Sequence, residues 1–363
     1  MNRIRHLDSW NPGSPVDGPS PALKGTLSPS VGERDGVRGL TSVPRPTLSH
    51  VDRSGVGKLS RREFITRSAL AASATTLCST PALSCFAAEK LASSIVVFSK
   101  VCQTLKLDFD DAAALTAEAG LDGIDCPVRP GGEILPERVT EDLPRYAEAL
   151  HKRNLHMPLL TTAITSAASP HTEDIVRTAK TQGAQFYRLG FIERQPSAPA
   201  GKQAREIKAQ LKDLAALNKQ AGIGAIMQNH SPAGRSYVGG DLAELYEIVK
   251  DFDPAQIGVA FDIGHALVVH GDGWRQHFEA LKSHLKIAYV KDVTRAGRWV
   301  SFGEGDVAST GYFKLLKQMG YHAPVSLHIE FDWNGGGKSK TRPALLKALQ
   351  ASSQTLKRWL ASA

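Results

Sequence analysis

The chain has 363 residues, enough for two ordinary domains or for one large domain with a single core. Its formal net charge of +8 invites a nucleic-acid role, but residues 1–88 carry +5 of it and residues 89–363 only +3. The body contains no dense run of Lys and Arg with interleaved aromatic residues, so no nucleic-acid partner is expected. No apolar run after residue 90 is long enough to span a bilayer, which excludes stable membrane insertion of the body.

Residues 1–59 are predicted to form a disordered leader, because residues 8–57 are rich in Pro, Gly and Ser and show no periodicity. Residues 60–88 follow as SRREFITRSALAASATTLCSTPALSCFAA, with Arg61 beside Arg62 and then a weakly apolar stretch. This segment resembles a twin-arginine export signal, the address of proteins that cross a membrane already folded. We therefore predict export to the periplasm or the cell exterior. An amphipathic helix with a chance arginine pair is the alternative.

From residue 93 onward, short β-rich apolar runs alternate with helical patterns. The runs predict eight strands at residues 94–101, 121–129, 156–164, 185–192, 223–230, 257–265, 285–293 and 324–332. The helical patterns lie at residues 111–120, 141–154, 173–184, 202–222, 241–252, 274–285, 311–320 and 343–361. Eight such units predict an α/β fold, a single-domain (β/α)8 TIM barrel over residues 89–363. A doubly wound open sheet is the rival, but no glycine-rich phosphate turn follows any of these strands.

The four cysteines lie at positions 78, 85, 102 and 126 and have no C-x-x-C spacing. Cys102 and Cys126 fall in or beside neighbouring predicted strands, where buried reduced thiols are the usual outcome. A disulfide between them is the alternative.

Every predicted strand ends in polar residues. Because active sites of barrels form at the carboxyl ends of the strands, these residues are expected to share one pocket. They are Lys100, Arg129, Thr161, Thr162, Arg188, Gln228, Asn229, His230, Asp262, His265, Lys291, Asp292, His328 and Glu330.

Oxygen and imidazole donors among these residues predict a site for a divalent cation, Mn2+ or Mg2+, with Zn2+ as the alternative. The predicted ligands are Gln228, Asp262, His265 and Glu330. Such an ion polarises a sugar carbonyl or an enediolate oxygen.

The predicted catalytic residues are Glu330, Lys291 and His230. Glu330 can move a proton, and Lys291 can stabilise negative charge or supply a proton. A carboxylate on an apolar strand is costly to bury without a partner, which favours function at position 330. Neighbouring strand residues point to opposite faces, which favours Lys291 in the pocket over a pair with Asp292. The predicted substrate-binding residues are Arg188, Arg129, Asn229 and His328.

Six segments resemble the sugar phosphate isomerase/epimerase superfamily, whose members have a xylose isomerase-like barrel. They are GIDCPVRPGG (123–132), QNHS (228–231), FDIGHA (261–266), YVKDV (289–293), FGEGDV (302–307) and LHIE (327–330), and the resemblance spans about residues 93–350. It implies a metal held by Glu on the fifth strand, Asp and His on the sixth, His on the seventh and Glu on the eighth. The chain keeps Asp262, His265 and Glu330, but Gln228 and Tyr289 replace the other two ligands.

The resemblance implies a sugar isomerase or epimerase that moves a proton next to a carbonyl on a sugar or sugar acid. A glutamine cannot accept a proton at neutral pH, so Glu330 is left as the only carboxylate base. The runner-up is a metal-dependent lyase or hydratase on an oxidised keto sugar, and a non-catalytic carbohydrate-binding barrel is the third reading. Export disfavours a phosphorylated sugar. The sequence does not determine the oligomeric state, and a homo-oligomer is compatible with it.

Twin-arginine signals begin within a few tens of residues of the start, whereas this one follows about sixty. No Met lies between Met1 and Met157, so a later start would use a codon now read as Val51, Val56 or Leu59. On this hypothesis, mass spectrometry of cell extract should find no peptide from residues 10–45. Detection of such a peptide would exclude the later start.

Overall fold

A computed structural model describes residues 94–199, 201–336 and 339–363, in which eight parallel strands close into a barrel. The strands are β1 (Ile95–Phe98), β2 (Gly123–Val128), β3 (His156–Thr162), β4 (Phe186–Arg188), β5 (Gly224–Gln228), β6 (Ile257–Asp262), β7 (Leu285–Val290) and β8 (Val325–Leu327). Each strand pairs with the next one along the chain, and β8 closes the barrel by pairing with β1. The predicted (β/α)8 barrel is confirmed. The predicted leader and export signal lie outside the described residues.

Helices connect the strands and surround them. They span Lys100–Gln103, Phe109–Glu118, Val139–His151, Thr172–Thr181, Lys202–Ala221, Leu242–Val249, Ile263–His270, Trp274–Leu281, Tyr312–Gln318 and Arg342–Ala361. Their apolar sides pack against the barrel, as the helical periodicity of the sequence requires. Within the described parts of the chain, none of them is both long and apolar enough to cross a membrane.

The strand predictions are wrong where they run past the true strand ends. Residues 263–265 open a helix instead of extending β6, because the Asp262 side chain accepts a hydrogen bond from the backbone N–H of His265 and caps that helix. Likewise, Lys100 and Val101 belong to a short helix after β1. In both places the apolar run continues while the backbone has already turned.

The barrel has two apolar layers. One large layer lies between strands and helices, and a small one inside the barrel consists of Leu159, Ile226, Ala260, Ile287 and Tyr289. Strand side chains alternate between these layers with a period of two. Residues two positions beyond an interior apolar residue therefore also face inward, closer to the carboxyl end. The same face of each strand therefore presents apolar side chains inside the barrel and polar side chains at its carboxyl end.

Cys102 and Cys126 are buried and free, which confirms the prediction of reduced thiols. Both lie in the layer between strands and helices. Burial raises the pKa of each thiol well above its ordinary value, so neither is reactive at neutral pH.

A carboxyl group lies deep inside the barrel. Asp125 on β2 is fully buried and accepts hydrogen bonds from the hydroxyls of Thr161 at 2.8 Å and Ser326 at 3.1 Å. Burial raises its pKa from 3.8 to about 6, although the hydroxyl of Thr161 and the charge of Arg188 act in the opposite direction. The barrel interior thus contains polar groups at Asp125, Thr161 and Ser326 in addition to those at its carboxyl end.

Asp125→Asn should alter how stability depends on pH. As pH rises, the unfolded chain releases this proton before the folded chain does, so the free energy of unfolding falls between about pH 4 and pH 6. Asparagine cannot ionise, so this fall is absent in the variant. Between about pH 4 and pH 6, the free energy of unfolding of the variant should therefore rise by roughly 2 kcal/mol relative to that of the parent. Urea unfolding at several pH values measures the difference, with Asp110→Asn at an exposed position as the control. If the free energies of unfolding of variant and parent differ by a constant amount from about pH 4 to pH 7, the pKa of Asp125 is not raised.

Candidate active site

A cavity opens at the carboxyl end of the barrel. Its lining is Phe98, Lys100, Arg129, Arg188, Phe191, Gln228, His230, Lys291, His328 and Glu330. The predicted catalytic residues all line it, and so do the predicted substrate-binding residues except one. Asn229, Asp262 and His265 lie behind the lining and are buried. The structure therefore brings the predicted residues together in two tiers.

The Lys291 ammonium lies at the centre of this arrangement. Its Nζ is 3.1 Å from Oδ2 of Asp262 and 2.9 Å from Nε2 of His265, and it is 3.9 Å from Oε1 of Glu330. Only 4% of its side chain is exposed. An ammonium has three N–H donors, so two serve Asp262 and His265 while the third is left for Glu330 or for a bound molecule.

The neutral form of His265 fits this contact. Burial, with the nearby charge of Lys291, lowers the pKa of His265 well below its ordinary value, so the ring carries one proton. Nε2 accepts from the Lys291 ammonium, which leaves the proton on Nδ1, 2.8 Å from the hydroxyl oxygen of Ser231. Ser231 thus orients the ring. In the sequence, Ser231 was marked only as the last residue of the QNHS segment, without this role.

Asp262 uses both carboxylate oxygens. Oδ1 accepts from the His265 backbone N–H at 3.1 Å, and Oδ2 accepts from Gln228 Nε2 at 2.9 Å as well as from Lys291. Burial raises the pKa of Asp262, and the charge of Lys291 opposes that rise. A fully buried carboxylate with a cationic partner and hydrogen bonds to both oxygens is the arrangement that makes burial of an ion pair tolerable.

Asn229 does not have the predicted position. Its Nδ2 donates to the Asp262 backbone oxygen at 2.9 Å, and its Oδ1 accepts from the Asp262 backbone N–H at 2.8 Å. Both ends of the amide are therefore used in joining the ends of β5 and β6. The structure gives Asn229 a positioning role for Asp262 in place of the predicted contact with substrate.

Two neighbours confine the Lys291 side chain. A Cβ atom on Gly264 would lie 2.7 Å from Lys291 Cγ, closer than carbon atoms tolerate, so position 264 needs glycine. On another side the ammonium lies over the Trp299 ring, 5.3 Å from its centroid, a favourable cation–π contact. Trp299 lies in a loop, and nothing in the sequence pattern marked it.

Two further histidines line the cavity as neutral rings. Burial lowers the pKa of His230 to about 3, and its Nδ1 lies 2.7 Å from the Ser231 backbone oxygen. Burial also lowers the pKa of His328 well below its ordinary value, and its buried Nε2 has no hydrogen-bond partner among the described residues. Both residues suit hydrogen bonding to a ligand better than accepting a proton from carbon.

The cavity lining is strongly cationic. In the described part of the chain, the lining contains the basic residues Lys100, Arg129, Arg188 and Lys291 and a single carboxylate, Glu330. Arg188 is 3% exposed, donates to the Leu189 backbone oxygen at 2.8 Å and lies over the Phe191 ring at 4.4 Å. Its guanidinium has further N–H donors, and none of the described carboxylates is in hydrogen-bond contact with them. Such a lining favours an anionic ligand.

Glu330 differs from the expectation of a buried strand carboxylate. It lies three residues beyond the end of β8, and 33% of its side chain is exposed. The cost of burial therefore does not argue for its function. Its position on the cavity wall opposite Lys291 does.

The predicted metal ligands do not fit a divalent cation in this arrangement. Gln228 directs its amide N–H, a donor, towards Asp262, while the acceptor atoms of Asp262 and His265 face the Lys291 ammonium. Within residues 94–199, 201–336 and 339–363, no three His, Cys, Asp or Glu side chains form a group that could hold a metal ion. The metal cofactor stays a prediction of the sequence.

Asp292, next to Lys291, organises the loop at residues 302–307. Its carboxylate accepts backbone N–H bonds from Gly303 at 2.8 Å, Gly305 at 2.9 Å and Val307 at 3.3 Å. A Cβ on Gly305 would collide with this carboxylate, which explains the glycine. Lys291 and Asp292 thus point in different directions, as expected for neighbours at a strand end.

A closed parallel barrel with a polar cavity at the carboxyl ends of its strands defines an α/β barrel of the kind that carries enzyme active sites. The chain belongs to the xylose isomerase-like TIM barrel family, whose pattern matches residues 113–352. No curated protein sequence matches the chain.

Solved structures with the same fold include sugar epimerases. A D-tagatose 3-epimerase-like protein is 17% identical with a TM-score of 0.57, covering 74% of this chain and 97% of its own. D-psicose 3-epimerase of Clostridium cellulolyticum is 11% identical with a TM-score of 0.58, covering 74% and 99%. The 3-keto-D-glucoside 4-epimerase of Escherichia coli is 13% identical with a TM-score of 0.56, covering 75% and 100%. At these identities the likeness establishes the fold.

Asp292→Ala should release the loop at residues 302–307. Without the carboxylate, several backbone N–H groups lose their acceptor, each at a cost of about 1–3 kcal/mol if it stays buried. Hydrogen exchange followed by mass spectrometry should show faster exchange at residues 303–307. Asp272→Ala, which removes an exposed partner of Arg295, is the control and should leave this exchange unchanged. Equal exchange in parent and Asp292→Ala would contradict the role of Asp292.

Proposed function

We propose that the chain is an isomerase-type enzyme that moves a proton next to the carbonyl of a sugar acid. One observation carries the proposal: the only carboxylate lining the cavity, among the described residues, lies across from the Lys291 ammonium in an otherwise cationic wall. The sugar epimerases with the same fold support the general kind of reaction.

In the proposed reaction, Glu330 removes a proton from the carbon beside the carbonyl. The free N–H of Lys291 donates to the oxygen on which negative charge develops, which stabilises the enediolate. Glu330 then returns the proton to the adjacent carbon on the same face, and the hydroxyl proton passes to the former carbonyl oxygen. A single base suffices for this isomerisation, whereas epimerisation requires a second base on the opposite face.

Substrate charge follows from the other basic residues. Arg129, Arg188 and Lys100 surround the cavity, and no carboxylate in the described part of the chain is in hydrogen-bond contact with them. Guanidinium groups bind carboxylates in a bidentate manner. Phe98 and Phe191 add apolar surface to the cavity lining, which suits the C–H groups of a sugar. We infer a substrate with a carboxylate, such as a uronic acid. The export proposed from the sequence agrees with a sugar acid released by polysaccharide breakdown.

A lyase acting on an oxidised sugar is the second candidate. The same single base would remove the proton, and a leaving group would depart from the next carbon with Lys291 as the acid. The presence of one carboxylate and one ammonium favours this reaction as much as isomerisation. The two differ in product, because elimination creates a conjugated double bond.

Glu330→Gln should abolish proton exchange. The purified full chain, incubated in D2O with uronic acids and with neutral ketohexoses, should place deuterium next to the carbonyl of the acids, as followed by NMR. Removing a general base should slow this exchange by about 10²–10⁴-fold.

Glu304→Gln, at an exposed glutamate of the nearby loop, is the matched control and should keep the parent rate. Appearance of a conjugated double bond in place of exchange would select the lyase. Binding of the acids with neither exchange nor elimination would reject both candidates and select the carbohydrate-binding barrel.

A further inference from the structure

We propose that the Lys291 ammonium occupies the place of a divalent cation in this barrel, so that the positive charge of the site is part of the chain. The catalytic meaning of this charge rests on the proposed function. Its structural basis and its test require no substrate.

Distances at the site leave no room for both cations. Oδ2 of Asp262 and Nε2 of His265 are 3.8 Å apart, and the Lys291 nitrogen is 3.1 Å from the first and 2.9 Å from the second. An ion bound to both atoms at a normal length of about 2.1 Å would lie within roughly 3 Å of that nitrogen. Two cations at that separation repel strongly in a buried site. The ammonium and the metal are therefore alternatives.

The surrounding charges match a single positive charge. Among the described residues, Asp262 is the only carboxylate within hydrogen-bond distance of Lys291, because Glu330 is 3.9 Å away. Gln228 presents a neutral amide whose N–H points to Asp262, so it adds a donor and no negative charge. Tyr289, two residues before Lys291, faces the barrel interior and supplies no imidazole. One buried carboxylate with one ammonium is neutral.

The side chain is also held in this position. Gly264 packs against Lys291 Cγ, Trp299 covers the ammonium, and only 4% of the side chain is exposed. A lysine that merely lay near the cavity would not need a glycine behind its stem.

Metal binding tests the proposal directly. Mn2+ is titrated into the full chain and free Mn2+ is followed by electron paramagnetic resonance. The parent should bind no stoichiometric Mn2+, whereas Lys291→Ala should gain at least about tenfold in affinity, since Asp262, His265 and Glu330 are then uncovered. Lys100→Ala removes a cavity charge elsewhere and should gain none.

Stoichiometric Mn2+ in the parent that Asp262→Asn abolishes would overturn the proposal. Failure of Lys291→Ala to gain affinity would overturn it equally.

A stability measurement covers the case in which the alanine variant folds poorly. Lys291→Met should lower Tm because it leaves the buried Asp262 carboxylate without its cation. The double variant Asp262→Asn/Lys291→Met should recover most of that loss. If the single variant is as stable as the double one, Lys291 does not compensate Asp262 and the proposal fails. Neither measurement uses a sugar, so failure of the proposed function would leave both results readable.

Discussion

The buried contact of Lys291 with Asp262 is the interaction on which the barrel mouth depends. A positive partner stabilises a carboxylate that has no exposed surface, and the chain supplies it from the adjacent strand. The neighbouring polar groups then serve that pair. Gln228 donates to the carboxylate, and His265 accepts from the ammonium. Because each of these contacts joins two strand ends, the pair also fixes how β5, β6 and β7 meet at the cavity.

Around this neutral centre the cavity keeps an excess of positive charge. Within residues 94–199, 201–336 and 339–363, no anionic group is in hydrogen-bond contact with Arg129, Arg188 or Lys100. The lining histidines are uncharged because burial disfavours their protonation. Binding an anion would therefore complete the electrostatics of the site. Glu330 stands at the exposed edge of this wall, where it is in contact with water and can reach a bound molecule.

Most of the fold could be predicted from the sequence, because strand and helix periods differ and the glycine-rich turn of the rival fold is absent. The site was predictable only as a set of residues. That Asn229 would turn away from the cavity, and that Lys291 would lie between Asp262 and His265, depends on strand register and on side-chain direction across three strands. The prediction that Glu330 is a buried strand residue is wrong, because the apolar sequence pattern continues beyond Leu327, where β8 ends. Ser231 and Trp299 act through tertiary contacts that leave no local pattern.

Gly264 lies close to the aliphatic part of the Lys291 side chain, so the residues allowed at these two positions depend on each other. Any residue with a Cβ at 264 would push the lysine out of line, so it could persist only together with a shorter residue at 291. Conversely, a lineage that loses the lysine is free to lose the glycine. Positions 264 and 291 should therefore covary among related sequences. A glycine at position 264 would then indicate that position 291 carries a long cationic side chain.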